Sequence, residues 1–212
     1  MRGYTEDLAQ FIATVTFDDI PLPVVEHAKL LVLDSLGCGL LGAGLPWSVR
    51  LCAALQAVEA LGDASVWGTG VKLSAPSAAL ANGTAVHGFE LDDFGTGHNG
   101  AVVLPAGLAL AEHRGGVSGK DLLTAVVAGA ETANRVQNCL GREPQVAMGF
   151  HAPSIIGTFA AAATASRVLG LSGAQVTDAL GHAGQQTAGL MAVQHGGMGK
   201  RLLAGKAAQS GT

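Results

Sequence analysis

Acid–base side chains are scarce in this chain, so the place where they gather is informative. Only 13% of the 212 residues are charged and 7 are histidine. Yet the stretch AVHGFELDDFGTGHNGAVVLPAG, from Ala85 to Gly107, holds two histidines and the acids Glu90, Asp92 and Asp93 among glycines. Imidazole gives or takes a proton near neutral pH and a neighbouring carboxylate biases which it does, so this is the composition of a general acid–base site. A solvated loop is the plainer reading of any one of these residues. Two histidines stand out because each falls at a loop-to-helix junction, where backbone N–H groups and side chains converge on ligands: His98, and His151 in FHAPSIIG, where Pro153 suits the first helical turn. With the acids of ELDD and the late Lys200 they supply a general acid, a general base and a carboxylate-pairing cation. His27 and His113 read as surface histidines, His182 in LGHAGQQTAGL as a hydrogen-bonded core histidine, and His195 in QHGGMGK as a loop residue of open role.

The elements that must position these groups are helical almost throughout. Apolar residues recur at helical spacing through Leu8, Phe11 and Ile12, and again through Val24, Val25, Ala28, Leu31, Val32 and Ser35. A third helix enters at Pro46 and closes near Leu61 before Gly62. ASVWGTGVKLS, residues 64–74, is the one hairpin expected. Further helices are predicted near 76–89, 103–114, 119–140, 153–168 and 173–189, and KRLLAGKAAQSGT also reads as helical. Ser118 is a cap candidate with Asp121 in the following first turn, and Leu122, Val126, Ala130 and Ala133 mark that helix's core face. Small residues in PSIIGTFAAAATASRVLGL allow close backbone approach, as in a tight bundle. The fold class is all-α, a multi-helix bundle, with residues 1–212 as one helical domain.

Bulk properties set the company this domain keeps. With 49% hydrophobic residues and a mean hydropathy of +0.38 the chain can bury a substantial core, and helices covered on several sides or against a partner are expected. A net charge of −4 with 12 Lys and Arg and no basic cluster leaves no footprint for nucleic acid or an anionic membrane surface. No membrane span is predicted, because Asp34 and glycines interrupt the most apolar run. Cys38, Cys52 and Cys139 lack metal or redox spacing and read as reduced, buried thiols of a cytoplasmic protein.

Four ordered segments make the chain resemble the N-terminal part of the MmgE/PrpD family along its whole length. LANGTAVHGFELDD resembles the family's Asn-Gly-Thr-Ala helix followed by His-Ala-x-Asp-x-Asp-Asp, and HNGAVVLPAGLALAE its His-Pro-x-x-x-Val-x-Pro-Ala segment. FHAPSIIGTFAAAATASRVLGL is similar to its next histidine segment, and GKRLLAGKAAQSG to its Lys-Arg-Leu-His segment. The resemblance implies a cofactor-independent lyase or isomerase acting on a small polycarboxylate by proton transfer next to a carboxylate: dehydration, decarboxylation or epimerisation. No metal is implied, and a homodimer is expected from the apolar balance of the chain. It also implies that His98, His151, Lys200, Glu90 and Asp93 are catalytic and that Lys200, Arg201, Asp92 and Thr96 contact substrate. Glu90 stands where the family has an aspartate, Phe94 where a threonine commonly follows the acids, and Leu203 where a histidine commonly follows Lys-Arg-Leu. Family members are about twice as long, with a lid domain and further C-terminal helices, so the expectation is an incomplete helical domain of a two-domain enzyme that is inactive alone.

Two other readings fit the same residues. Asp92, Asp93 and His98 are ordinary ligands for a divalent ion, as in a metal-dependent hydrolase or lyase, although no compact motif such as HExxH is present. A non-catalytic helical interaction module would also use small-residue helices with few charges.

Overall fold

Proline and glycine punctuation decides where most helices begin and end. The computed structural model describes residues 3–93, 97–141, 143, 147–195 and 197–212. Among these, nine α-helices run in chain order: α1 (Tyr4–Thr14), α2 (Leu22–Gly42), α3 (Pro46–Val58), α4 (Ala75–Val86), α5 (Gly100–His113), α6 (Gly119–Leu140), α7 (Ala152–Leu169), α8 (Gly173–Gln186) and α9 (Gly199–Gly211). Proline occupies the first turn of α2, α3, α4 and α7, where its missing N–H is no loss. Ser118 caps α6, its hydroxyl accepting from the Asp121 N–H at 3.1 Å, as its sequence position suggests. Gly170 ends α7 in the left-handed conformation. The expected hairpin is present, with β1 (Ala64–Val66) antiparallel to β2 (Val71–Leu73) in the register Ser65 opposite Lys72.

One boundary differs from the sequence reading for a nonlocal reason. Helix α5 begins at Gly100, three residues before the expected start, and carries Pro105 inside it. Asp93 makes the early start possible: its carboxylate accepts from the Asn99 N–H at 3.2 Å and the Gly100 N–H at 2.8 Å, satisfying donors that have no partner within the helix.

The core is built around α4 and α5. From Ser77 to Gly88 every residue is buried, and α4 lies against α2, α5 and α9. Such coverage needs small side chains. A Cβ on Gly83 would meet the Ala101 carbonyl and the Gly205 Cα, one on Gly205 the Leu80 carbonyl and the Thr84 hydroxyl, and one on Gly42 the Ala85 carbonyl. Asn82 ties α4 to the hairpin, accepting from the Trp67 N–H and donating to the Ser65 carbonyl, both at 2.9 Å. A second close crossing joins α6 to α7 through Gly129, which faces Thr164 and Ala160.

The outer layer is less complete. Helix α2 buries Val25, Ala28, Ser35, Gly39 and Gly42 but leaves Leu30, Leu33, Leu40 and Leu41 exposed. Among the described residues no single helix is long and apolar enough to cross a membrane, and α2 and α3, which together would be, meet at 83°. The cysteine expectation needs correction: all three are free, but only Cys52 is buried, while Cys38 is half-buried and Cys139 exposed. His182 is likewise exposed on α8 rather than in the core, since that helix faces inward through Val176, Leu180 and Ala183.

Candidate active site

The groups that converge come from four separate parts of the chain: the end of α4 and the connection after it, the start of α5, the start of α7, and the first turn of α9. His87 caps the C-terminus of α4, its N–H bonded to the Gly83 carbonyl at 3.1 Å, and its ring is wholly buried. Five residues on, the buried Asp92 carboxylate bridges two imidazoles. Its Oδ1 lies 3.3 Å from His87 Nδ1 and its Oδ2 3.2 Å from His98 Nδ1. The two rings meet edge to face with centroids 4.5 Å apart. His98 has φ +57°, a left-handed conformation that side chains rarely adopt, and keeps 18% of its side chain exposed.

His151 closes the cluster from α7, with its ring centroid 6.3 Å from that of His87. It is the N-cap of its helix, and its Nδ1 lies 2.8 Å from the Ser154 hydroxyl. Its backbone is pinned from the other side. The His151 N–H donates to the Gly189 carbonyl at 3.0 Å and the Met191 N–H to the Gly149 carbonyl at 2.8 Å, around a bridge between Phe150 and Leu190. The Ser154 bond uses Nδ1, which leaves Nε2 as the ring atom available for chemistry.

Lys200, in the first turn of α9, donates to Glu90 Oε2 at 2.6 Å. Arg201 is committed elsewhere. Its guanidinium lies over the Trp47 ring at 5.2 Å, its Nε donates to the Gly88 carbonyl at 3.4 Å, and its Nη2 is 3.9 Å from Glu90 Oε1. The cation nearest the histidines is therefore Lys200, with Glu90 as its counter-ion. Thr96 and Phe94 lie outside the described residues.

Burial and charge shift the pKa values of His98 and His151 in opposite directions. Burial of His98 opposes its charged form, but the hydrogen bond and charge of Asp92, with Asp93 and Glu90 behind, raise its pKa above the ordinary value. His151 is pushed down to about 4 by burial and by the positive fields of His87, Lys200 and His98. Asp92 pays the desolvation of full burial, yet its bonds to His87 and His98 hold it below the usual carboxylate range. Glu90 is desolvated too, and Lys200 pulls it down. Asp93 is the exception, pushed up to about 6 by burial and by Asp92 despite its helix-capping bonds.

The residues singled out in the sequence thus divide. His98, His151, Lys200, Glu90 and Asp92 come together, whereas Asp93 turns away to the backbone of α5, and Arg201 braces α3 and α4. That removes Asp93 from a ligand set with Asp92 and His98. The donor atoms that do lie within 4.8 Å of one another belong to His87, Asp92 and His98, a spacing their mutual hydrogen bonds account for. His87 and Ser154 are the residues that reading the sequence missed. The signal for His87 was a histidine at a helix end five positions before an acid. For Ser154 it was a hydroxyl three positions into a helix headed by histidine. Exposed His27, His113, His182 and His195 stay apart from the cluster. A cavity of about 670 Å³ opens on the α2–α6 side of the same connection, lined by Asp34, Asp93, Asn99 and Glu131 among apolar residues, and none of the clustered histidines borders it.

Known proteins resemble the chain over most of its length. The chain is 36% identical over 216 residues to a cis-aconitate decarboxylase of Aspergillus terreus, a match covering 99% of this chain and 44% of that protein. It is 38% identical to a cis-aconitate decarboxylase-like protein of Aspergillus oryzae, covering 98% of the chain and 45% of the relative. With the cis-aconitate decarboxylase of Mus musculus it shares 32% identity, over 85% of the chain and 38% of the relative. The chain thus spans less than half the length of the curated relatives it matches. The MmgE/PrpD N-terminal domain matches residues 6–212, and with identities of this size over nearly all of the chain, the protein belongs to the MmgE/PrpD family.

Proposed function

We propose that this chain is the helical domain of a cofactor-independent lyase that decarboxylates a small polycarboxylate of the cis-aconitate type. The observation that carries the reading is the pairing, in one cluster, of an imidazole whose carboxylate partner Asp92 favours its charged form (His98) with one whose surroundings favour the neutral form (His151), beside Lys200. Lys200 binds a substrate carboxylate, joining or displacing Glu90 on its ammonium. When the departing carboxylate leaves as CO2, its bonding electrons stay on the carbon skeleton. The half-buried Lys200 stabilises that charge, and His98 delivers the proton that quenches it. His151, neutral from about pH 4 upward, orients the substrate through Nε2. In a dehydration at the same site it would take the proton while His98 assisted the departing hydroxide.

The similarity to cis-aconitate decarboxylases supports decarboxylation over dehydration or epimerisation. The exposed leucines of α2 support a homodimer, and three free thiols suit a reducing compartment such as the cytoplasm. The test is CO2 release from cis-aconitate by the protein that carries this domain, with calorimetric titration of cis-aconitate into the chain itself. Absence of both turnover and binding, in wild type and Lys200→Met alike, would overturn the proposal.

A further inference from the structure

We propose that His87 is a positioning residue for His98: through Nδ1 it holds the Asp92 carboxylate in the orientation that turns the second carboxylate oxygen onto the His98 ring. Of the three groups, His87 is the rooted one. It ends a helix buried on every side, its N–H is bonded to Gly83, and its ring has no exposed surface. Asp92 is not rooted by secondary structure. It lies in the non-helical connection after α4, beside Leu91, which is 66% exposed, and its carboxylate is nevertheless wholly buried. Among the described residues that carboxylate meets His87 and His98. His98 is the least rooted, with a strained backbone and a partly exposed ring. A carboxylate held at two points orients what it touches; held only by His98, it would follow that ring instead of fixing it.

The imidazole at position 87 uses one nitrogen for this. Its Nε2 is buried and makes no hydrogen bond with the described residues, so a side chain kept for packing alone would sit there better without it. The titratable and charged groups around His98 are Asp92, with Asp93 and Glu90 acting on it only through their charge, His87 from the end of α4, and His151 and Lys200 from the starts of α7 and α9. Removing the Nδ1 donor leaves Asp92 buried with one partner, so it takes a proton more readily and its charge is withdrawn from His98.

Three variants separate positioning from packing. Asn places an amide donor where Nδ1 stands, Gln moves it to the reach of Nε2, and Leu has none. The readout is the midpoint of the His98 imidazole in ¹⁵N–¹H NMR titrations of the chain without substrate, so it stands apart from the proposed lyase activity. Wild type and His87→Asn should agree within about 0.3 units, while His87→Gln and His87→Leu fall by about one unit. In the lyase assay, which does rest on the proposed function, His87→Leu should lower kcat about tenfold or more with KM within about twofold. Equal His98 midpoints in wild type, Asn and Leu variants, or a fall in Asn as large as in Leu, overturn the proposal. If His87→Leu does not fold, the Asn–Gln contrast alone decides it.

Discussion

Asp93 and His151 sit in the same half of the molecule with pKa shifts of opposite sign, and the two should cancel in stability. His151 is depressed from 6.5 to about 4, so its contribution is present above pH 6.5 and is lost as pH falls toward 4. Asp93 is raised from 3.8 to about 6, so its contribution is present below pH 3.8 and is lost as pH rises through 6. Each is on the order of 3 kcal/mol. Between pH 4 and 6 the wild-type stability should therefore be nearly flat, and Asp93→Asn should uncover a steady loss as the solution is acidified. Denaturant midpoints measured across that range check this, and parallel curves for the two proteins would refute it. For turnover, His151→Gln should keep the fold and lower the rate by roughly 10²–10⁴ if the residue transfers a proton, and by much less if it only orients substrate. Lys200→Met should raise KM for a polycarboxylate about 10- to 100-fold, the worth of a charge-assisted hydrogen bond. A KM within twofold of wild type would remove Lys200 from the binding site. These roles were only partly legible in the sequence. His98, His151 and Lys200 stood out by their junctions and chemistry, but His87 looked like the end of an alanine helix, and the resemblance implied a catalytic Asp93 whereas it is Asp92 that meets the imidazoles. Which of two adjacent carboxylates faces the imidazoles depends on where α5 begins, a tertiary fact.

At the scale of elements, periodicity and punctuation carried most of the fold. The bounds of α6 match the pattern in KDLLTAVVAGAETANRVQNCL because its cap, Ser118, is local, whereas α5 was read short because its cap, Asp93, belongs to the preceding connection. Close packing of α4 against α9 was foreshadowed only as an abundance of small residues. It has a direct consequence for stability, since at Gly83 and Gly205 the obstacle to a side chain is mostly backbone that cannot swing aside. Gly205→Ala should cost about 1–3 kcal/mol or more. Because Lys200 stands on the same helix, it should also weaken binding of cis-aconitate. By contrast Gly181→Ala, on α8 with open space around it, should stabilise slightly by helix propensity. Thermal denaturation of the two variants checks both signs, and equal midpoints would show that the α4–α9 crossing tolerates separation.

For the whole molecule the uneven outer layer matters most. Leu30, Leu33, Leu40 and Leu41 repeat along one side of α2 and remain 58–68% exposed, a row of large apolar side chains that water disfavours. Sedimentation at rising concentration should show a mass above that of one chain, and Leu33→Glu with Leu41→Glu should return it to the monomer. A monomer that binds no apolar dye would contradict this.

Helix α9 follows in the chain the helices against which its small residues pack. Glu90 and Lys200 are 110 positions apart, and α9 slots between α4, α5 and α7. On a ribosome, α4, α5 and α7 emerge well before α9 does, so the alanine-lined channel that receives it stays open to water and to other nascent chains for the time needed to add those residues. The pairing of Lys200 with Glu90 cannot form during that interval. Formation of that ion pair should therefore be a late phase of folding, and a chain stalled before Gly199 should be a client for chaperones.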